Sequence, residues 1–197
     1  MRPITIAEQA RGPKLPSLLQ TSTVGSVREF SVHLVDGSVP LKRRSAIARV
    51  AYVAQRSTPK FKTGYDGTVD SDDQRLYVLR QDTRAIAIAI TALADRFWQL
   101  EWTESGSLRL RSDGALLERR PTVGRVWVAS DYQRKGFGTA LVACALSHLA
   151  VAPSQAGWTH PFTSAGSAMV RRLCQVNLLV CCDPVELPLL RGAESAT

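Results

Sequence analysis

Apolar and polar positions change period several times along this chain, and each change marks an element. Residues 1–25 hold no sustained period; Pro, Ser/Thr and basic residues are scattered there, which predicts a mobile or loosely packed arm. Val27–Val35 alternates weakly and reads as a first strand, closed by Asp36-Gly37. From Pro40 to about Gln55 the period becomes helical. Leu41, Ile47, Val50, Ala51 and Ala54 share one face, and Lys42, Arg43, Arg44 and Arg49 make a basic one. Residues 56–75 form a long polar loop with Gly64 and Gly67, either a substrate mouth or simply a mobile segment. Period two returns in Leu76–Arg80 and Arg84–Leu93, joined by the tight turn Gln81-Asp82-Thr83. Ile86, Ile88 and Ile90 take one face of the second strand and Ala85, Ala87 and Ala89 the other. That pattern predicts a central strand covered on both sides, with a helix close over the alanines. Phe97–Trp102 and Ser107–Arg111 read as a further hairpin around Ser105-Gly106.

The second half opens with a short apolar strand, Val123–Val128, and a small polar turn, Ala129–Tyr132. Gln133-Arg134-Lys135-Gly136-Phe137-Gly138 follows, and a helix over Gly138–Val151 that is apolar on most faces and therefore predicted to be buried. Pro153 ends it. Gly157–Thr159 reads as a short strand, Ser164–Cys174 as a helix capped by Thr163 or Ser164, and Asn177–Cys182 as a last strand. The alternation of elements predicts one α/β domain over residues 26–183, between the arm and a fraying tail at 184–197. Its sheet should be central and mixed, flanked by helices.

Composition changes this picture little. A hydrophobic content of 45% is ample for a core, and the net charge of +8 is carried mostly by arginine. Such a surface attracts nucleic acid, acidic proteins or a polyanionic cofactor. The four cysteines, at 144, 174, 181 and 182, have neither zinc spacing nor a disulfide framework, so reduced thiols and no metal are expected. No signal peptide is read at the N-terminus, and the longest apolar run, Ala85–Ala94, is too short to span a bilayer. A cytoplasmic protein without membrane contact is the expectation.

The order strand, basic glycine-containing turn, helix carries chemistry. The first N–H groups of a helix have no intrahelical acceptor and bear the positive end of its dipole, so they attract phosphate. Gly136 and Gly138 lack a Cβ, which lets an anion approach the backbone; Arg134 and Lys135 add charge. The pattern Gln-x-x-Gly-x-Gly over Gln133–Gly138, with the apolar strand before it and Thr139-Ala140-Leu141 after it, resembles the acetyl-CoA signature of the Gcn5-related N-acetyltransferases (the GNAT superfamily). The resemblance implies a mostly antiparallel sheet and acetyl-CoA as co-substrate. It also implies an amine acceptor: a protein lysine, a protein N-terminus or a small molecule. Residues 134–139 (Arg134, Lys135, Gly136, Phe137, Gly138 and Thr139) would hold the pyrophosphate. The backbone of Val126, Trp127 and Val128 would hold the pantetheine arm, with the Val128 N–H as oxyanion donor.

Residues 122–175 look most like the cohesin lysine acetyltransferases: Arg125-Val126-Trp127-Val128, then Thr159-His160-Pro161, Gly166 and Cys174. Here His160 stands where that branch has a catalytic Asp, Gly124 replaces its Ser, and its zinc finger has no counterpart in residues 1–75. Imidazole titrates near neutral pH, so His160 is a candidate base for the amine, with Glu101 as its rival. His148 is expected to be a core histidine, His33 a strand residue without chemistry and Cys174 a structural cysteine. No Tyr follows Tyr132; Val170 takes the place of the general-acid Tyr used by many relatives. Two alternatives stand beside acetyl transfer. One is a nucleic-acid-binding module using the arginines of Lys42–Arg49 and Arg109–Arg125; the other is a degenerate domain that binds CoA without turnover.

Overall fold

One long strand, β4 (Arg84–Trp102), runs through the middle of the computed structural model and organises everything else. The structure describes residues 3–15, 22–37, 39, 41–57, 73–111, 114–160 and 162–181; the polar loop of 58–72 and the tail at 184–197 lie outside the described residues. The chain passes through α1 (Ile6–Arg11), β1 (Ser22–Val27), β2 (Phe30–Val35), α2 (Leu41–Ser57) and β3 (Arg75–Gln81) before β4. After it come β5 (Leu108–Leu110), β6 (Leu116–Val128), α3 (Phe137–His148), β7 (Gly157–Thr159), α4 (Ser164–Leu173) and β8 (Asn177–Cys181). The sheet order is β1-β2-β3-β4-β6-β7-β8, with β5 beside the far end of β4. Pairing is antiparallel except where β7 lies between β6 and β8. This is the expected α/β fold, a mostly antiparallel sheet flanked by helices. Among the described residues no helix is long and apolar enough to cross a membrane.

β4 has two halves with different partners. Its first half lies between β3 and β6. Its end, Trp98–Glu101, pairs with β8. Leu179 of β8 therefore has Gln99 on one side and Gly157 of β7 on the other, so β4, β6, β7 and β8 close on one another. Phe97, Leu100, Trp158, Leu178 and Val180 are all essentially inaccessible around this closure. Gly157 is needed there: a Cβ would sit 2.2 Å from the Phe97 ring and 2.5 Å from Thr122 Oγ1.

Two apolar layers cover the sheet. α3 and α4 lie over one face with Leu141, Val142, Ala145, Leu146 and Val170. Val50, Val53 and Ala54 of α2, with Leu15 of the N-terminal segment, cover the other. Ala87 and Ala89 belong to the α3 side, as the small-residue face predicts. The segregation of Ile from Ala is not strict, however. A bulge opposite Leu79 and Arg80 puts Ile86 beside Ala87 under α3, while Ala85 joins Ile88 and Ile90 on the other face.

Three further expectations are corrected. The single strand read over Val27–Val35 is a hairpin, because Arg28 and Glu29 form a two-residue turn between the paired Val27 and Phe30. β4 does not stop at Leu93 but continues through the predicted Phe97–Trp102 strand. The segment 3–15 is not a loose arm. Thr5 and Glu8 cap α1 reciprocally. Lys14 bridges to Arg84, and Leu15 is buried. Gly12, at φ 83°, is pressed against the Ala85 carbonyl, where a Cβ would lie 1.9 Å away. Arg49, expected on a solvated basic face, grips this segment instead: its Nη2 meets Glu8 Oε2 at 2.7 Å and the Pro3 carbonyl at 2.8 Å.

The Glu8–Arg49 pair is largely buried, and the guanidinium holds the Glu8 carboxyl down at about 2, against 4.5 for an ordinary one. A depressed carboxyl stabilises the fold fully above its unfolded value and loses that contribution as pH falls toward the folded one. Glu8→Gln should therefore cost about 1.5–3 kcal/mol at pH 7. The difference between parent and variant in urea melts should shrink as pH drops from 4.5 toward 2. For the strand closure, Gly157→Ala should destabilise by about 1–3 kcal/mol or more through overpacking. Adding Phe97→Ala should make the two changes strongly non-additive in a double-mutant cycle.

Candidate functional site

The opening of interest follows from how β6 is paired. β4 flanks it from Leu116 to Val128, whereas β7 pairs with it only at Thr122 and Val123. The two parallel strands then diverge, and beyond Val123 the edge of β6 has no strand pairing with β7 among the described residues. The direction of its backbone follows from one bond. Ala129 N–H donates to the Ile86 carbonyl at 2.9 Å, so Ala129, Trp127 and Arg125 face β4. The N–H and C=O groups of Val126 and Val128 then face the opening. Gln133 confirms this polarity, since its Nε2 donates to the Val128 carbonyl at 3.0 Å.

α3 starts directly above that edge. Gly138 lets it approach: a Cβ would lie 3.3 Å from Val128 Cγ2, 3.6 Å from Val126 Cγ1 and 4.0 Å from Met169 Sδ of α4. Val126, Val128, Gly138 and Met169 thus meet where α3 crosses β6 beside α4. Trp127 points the other way, into the layer under α2, so any part it plays here is through its backbone. Gly136 is the N-cap of α3 in left-handed conformation, φ 83°, with no capping side chain, and the first-turn N–H groups face outward without a side-chain acceptor. Space beside Gly136 is open. Such an edge can pair with an extended amide-bearing chain, and such a helix start can hold a phosphate.

Side chains of the loop divide into two kinds. Phe137 is buried, packed against Phe30 at 5.4 Å and edge-on to Tyr132 at 5.9 Å. Tyr132 donates its hydroxyl to Gln81 Oε1, which fastens the loop to β3. Lys135 is drawn back onto the Asp131 carbonyl at 2.7 Å and lies 5.8 Å from the Tyr132 ring centre. Arg134 is exposed with φ 60°, and Thr139 is half-buried in the first turn. Sequence reasoning missed Arg28, whose Nη2 donates to the Lys135 carbonyl at 3.0 Å and whose guanidinium lies 4.8 Å from the Phe137 ring centre. The signal was present: two polar residues, Arg28 and Glu29, interrupt the alternation.

His160 follows β7 directly. Its N–H donates to the Cys181 carbonyl at 3.0 Å, and its half-buried ring meets the edge of Phe162 at 5.5 Å. In the register of Val123 with Trp158, it is level with Arg125 across the divergence. Glu101 is not brought to it. Continuation of β4 carries Glu101 to the opposite end of β8, beside Asn177, where Arg109 takes its carboxylate at 2.5 Å. The two rival candidates for the base, Glu101 and His160, thus lie at opposite ends of β8. His148 is corrected: it is exposed at the end of α3, 3.1 Å from the Tyr77 hydroxyl, not in the core. His33 lies on β2 against Ser31 Oγ at 2.8 Å. Cys174 is structural as expected, its buried thiol pushed up to about 11 and donating to the Pro153 carbonyl. The stretch Arg109–Arg125 is no bare basic face, since Arg109, Arg119 and Arg120 pair with Glu101, Asp73 and Glu118.

Comparisons with known proteins agree on the fold. Among solved structures, the xEco2 acetyltransferase domain bound to a lysine–CoA conjugate has the same fold, with TM-score 0.66 and 14% identity over 82% of this chain and 97% of that one. A second structure of that domain gives TM-score 0.66 and 14% identity over 84% and 98%. No curated protein sequence matches the chain. The model of the acetyltransferase (GNAT) family matches residues 45–152, which take in β3, β4, β6, the glycine loop and α3. With more than half of its 197 residues so matched, the chain belongs to the acetyltransferase (GNAT) family.

Proposed function

We propose that this protein transfers the acetyl group of acetyl-CoA to a primary amine. The observation that carries the reading is the edge of β6 left unpaired by β7, ending at an uncapped helix start. Val126 offers its N–H and C=O, and Val128 its N–H, to the pantetheine arm and the thioester, while residues 134–139 take the pyrophosphate. The thioester then lies near Val128, whose N–H stabilises the oxyanion as the amine attacks. The tetrahedral intermediate collapses by breaking the C–S bond. CoA leaves as thiolate, and the second proton lost by the attacking nitrogen reaches it through water, since Val170 is buried and has no proton to give. His160, level with Arg125 across the opening, takes the proton from the ammonium directly or through one water.

The acceptor class follows less from the opening than from likeness. The run from Arg125 to Cys174 resembles the cohesin lysine acetyltransferases, and the xEco2 domain of like fold was solved with a lysine–CoA conjugate. A protein lysine is therefore the first acceptor to try, ahead of a protein N-terminus and small amines. Binding of CoA without turnover is the rival reading, and acyl transfer to an acceptor panel separates the two.

Acetyl-CoA at a hundred times its dissociation constant should stabilise the fold by about 2.7 kcal/mol. Gly138→Asp should abolish this stabilisation, since it fills the contact with Val126 and Val128 and sets a negative charge at the phosphate position. A flat thermal shift of the parent at millimolar acetyl-CoA, or normal binding by the folded variant, would refute the assignment.

His160→Ala should lose about 10²–10⁴-fold in turnover with CoA affinity intact. Turnover of His160→Ala equal to that of the parent, with CoA affinity unchanged, removes His160 from the mechanism.

A further inference from the structure

Arg28 lies 107 positions before Lys135 in sequence, yet its guanidinium is fixed on the glycine loop by the Lys135 carbonyl and the Phe137 ring. Only Nη2 is used in that bond; Nη1 and Nε donate to no other described residue. The side chain is exposed, at the rim where α3 begins. Its backbone is also informative. Arg28 is the first residue of a two-residue hairpin turn and has φ 56°. Glycine is the usual occupant of such a position, because a Cβ makes left-handed backbone costly. A strained arginine where glycine would be easier points to work done by the side chain. The loop has need of it, since Lys135 holds its ammonium against the Asp131 carbonyl and the Tyr132 ring rather than leaving it extended.

We infer that Arg28 is a phosphate-binding residue, a cation supplied by the β1–β2 hairpin to the phosphates of CoA held at the start of α3. The inference rests on the proposed use of CoA and adds a residue that the loop motif does not contain. Bonding to Lys135 and stacking on Phe137 hold the guanidinium in place before ligand arrives, so little side-chain freedom is lost on binding. The partner chemistry is a phosphate, either the pyrophosphate or the 3′-phosphate.

The test measures CoA and dephospho-CoA binding by calorimetry for the parent, Arg28→Ala, Arg28→Lys and Arg28→Gly, over a range of salt. Arg28→Ala should bind CoA roughly tenfold or more weakly, the size of one charge-assisted hydrogen bond. Its affinity should also fall less steeply with salt, because one screened charge contact is gone. Arg28→Lys should recover part of the loss. Arg28→Gly should melt at or above the parent temperature, with its turn relaxed, and still bind CoA as weakly as Arg28→Ala. Equal losses for both ligands identify the pyrophosphate, and a loss for CoA alone identifies the 3′-phosphate; either supports the inference. Parental affinity in Arg28→Ala overturns it, and so does weakened binding with an unchanged salt slope, which would make Arg28 only a brace for the loop. A parent that binds neither ligand overturns the CoA reading itself, an outcome distinct from these.

Discussion

Unequal pairing of β6 is the constraint on which the rest of this molecule depends. A central strand normally spends its hydrogen bonds on both neighbours. β6 is held along its length by β4 but by β7 at only two positions. The reason lies at the other end of β4. There Trp98–Glu101 captures β8, and β8 holds β7, so β7 follows the curl of β4 and parts from β6. Gly157 makes that curl sterically possible by leaving room for Phe97. A strand edge left unpaired by β7 is thus a by-product of closing the strands elsewhere.

The helix that crowns the opening is placed by apolar contacts rather than by its loop's charges. Phe137 is wedged between Phe30 and Tyr132, and Gly138 rides on Val126 and Val128. With position set by packing, the polar groups of the loop are left to act on a ligand or on one another. Gln133 binds the Val128 carbonyl, and Lys135 folds back on the turn. Electrostatics elsewhere is largely internal. Arg49 secures the N-terminal segment through Glu8, and Arg109, Arg119 and Arg120 meet acidic neighbours, which makes a net charge of +8 a poor guide to a nucleic-acid surface.

Local order was legible in the sequence wherever period and punctuation agreed. β7, α4 with its Thr163 cap, and the strand–loop–helix around Gly136 follow from apolar spacing and from where glycine and proline fall. So does the helix over the alanine face of β4, because small side chains let it approach. These features depend on neighbours a few residues apart. The cofactor loop was legible for the same reason, since its chemistry is that of a helix start and needs no distant partner.

Tertiary structure alone decided which distant residues share the site. Arg28 reaches Lys135 because β1 and β2 lie beneath α3, and Glu101 leaves the site because β4 continues past Leu93 and pairs with β8. Period two cannot tell one long strand from two short ones, nor announce a bulge that puts Ile86 and Ala87 on one face. The N-terminal segment shows the same limit. Its sequence has the polarity of a loose arm, and it is held down by distant residues, through the Glu8–Arg49 pair, the Lys14–Arg84 bridge, buried Leu15 and the fit of Gly12 against Ala85. What the sequence determined by itself was the set of local elements and the phosphate-seeking loop, whose physics is short-range. Which residues meet across the opening was decided by strand pairing and packing, because those contacts exist only once the chain has closed on itself.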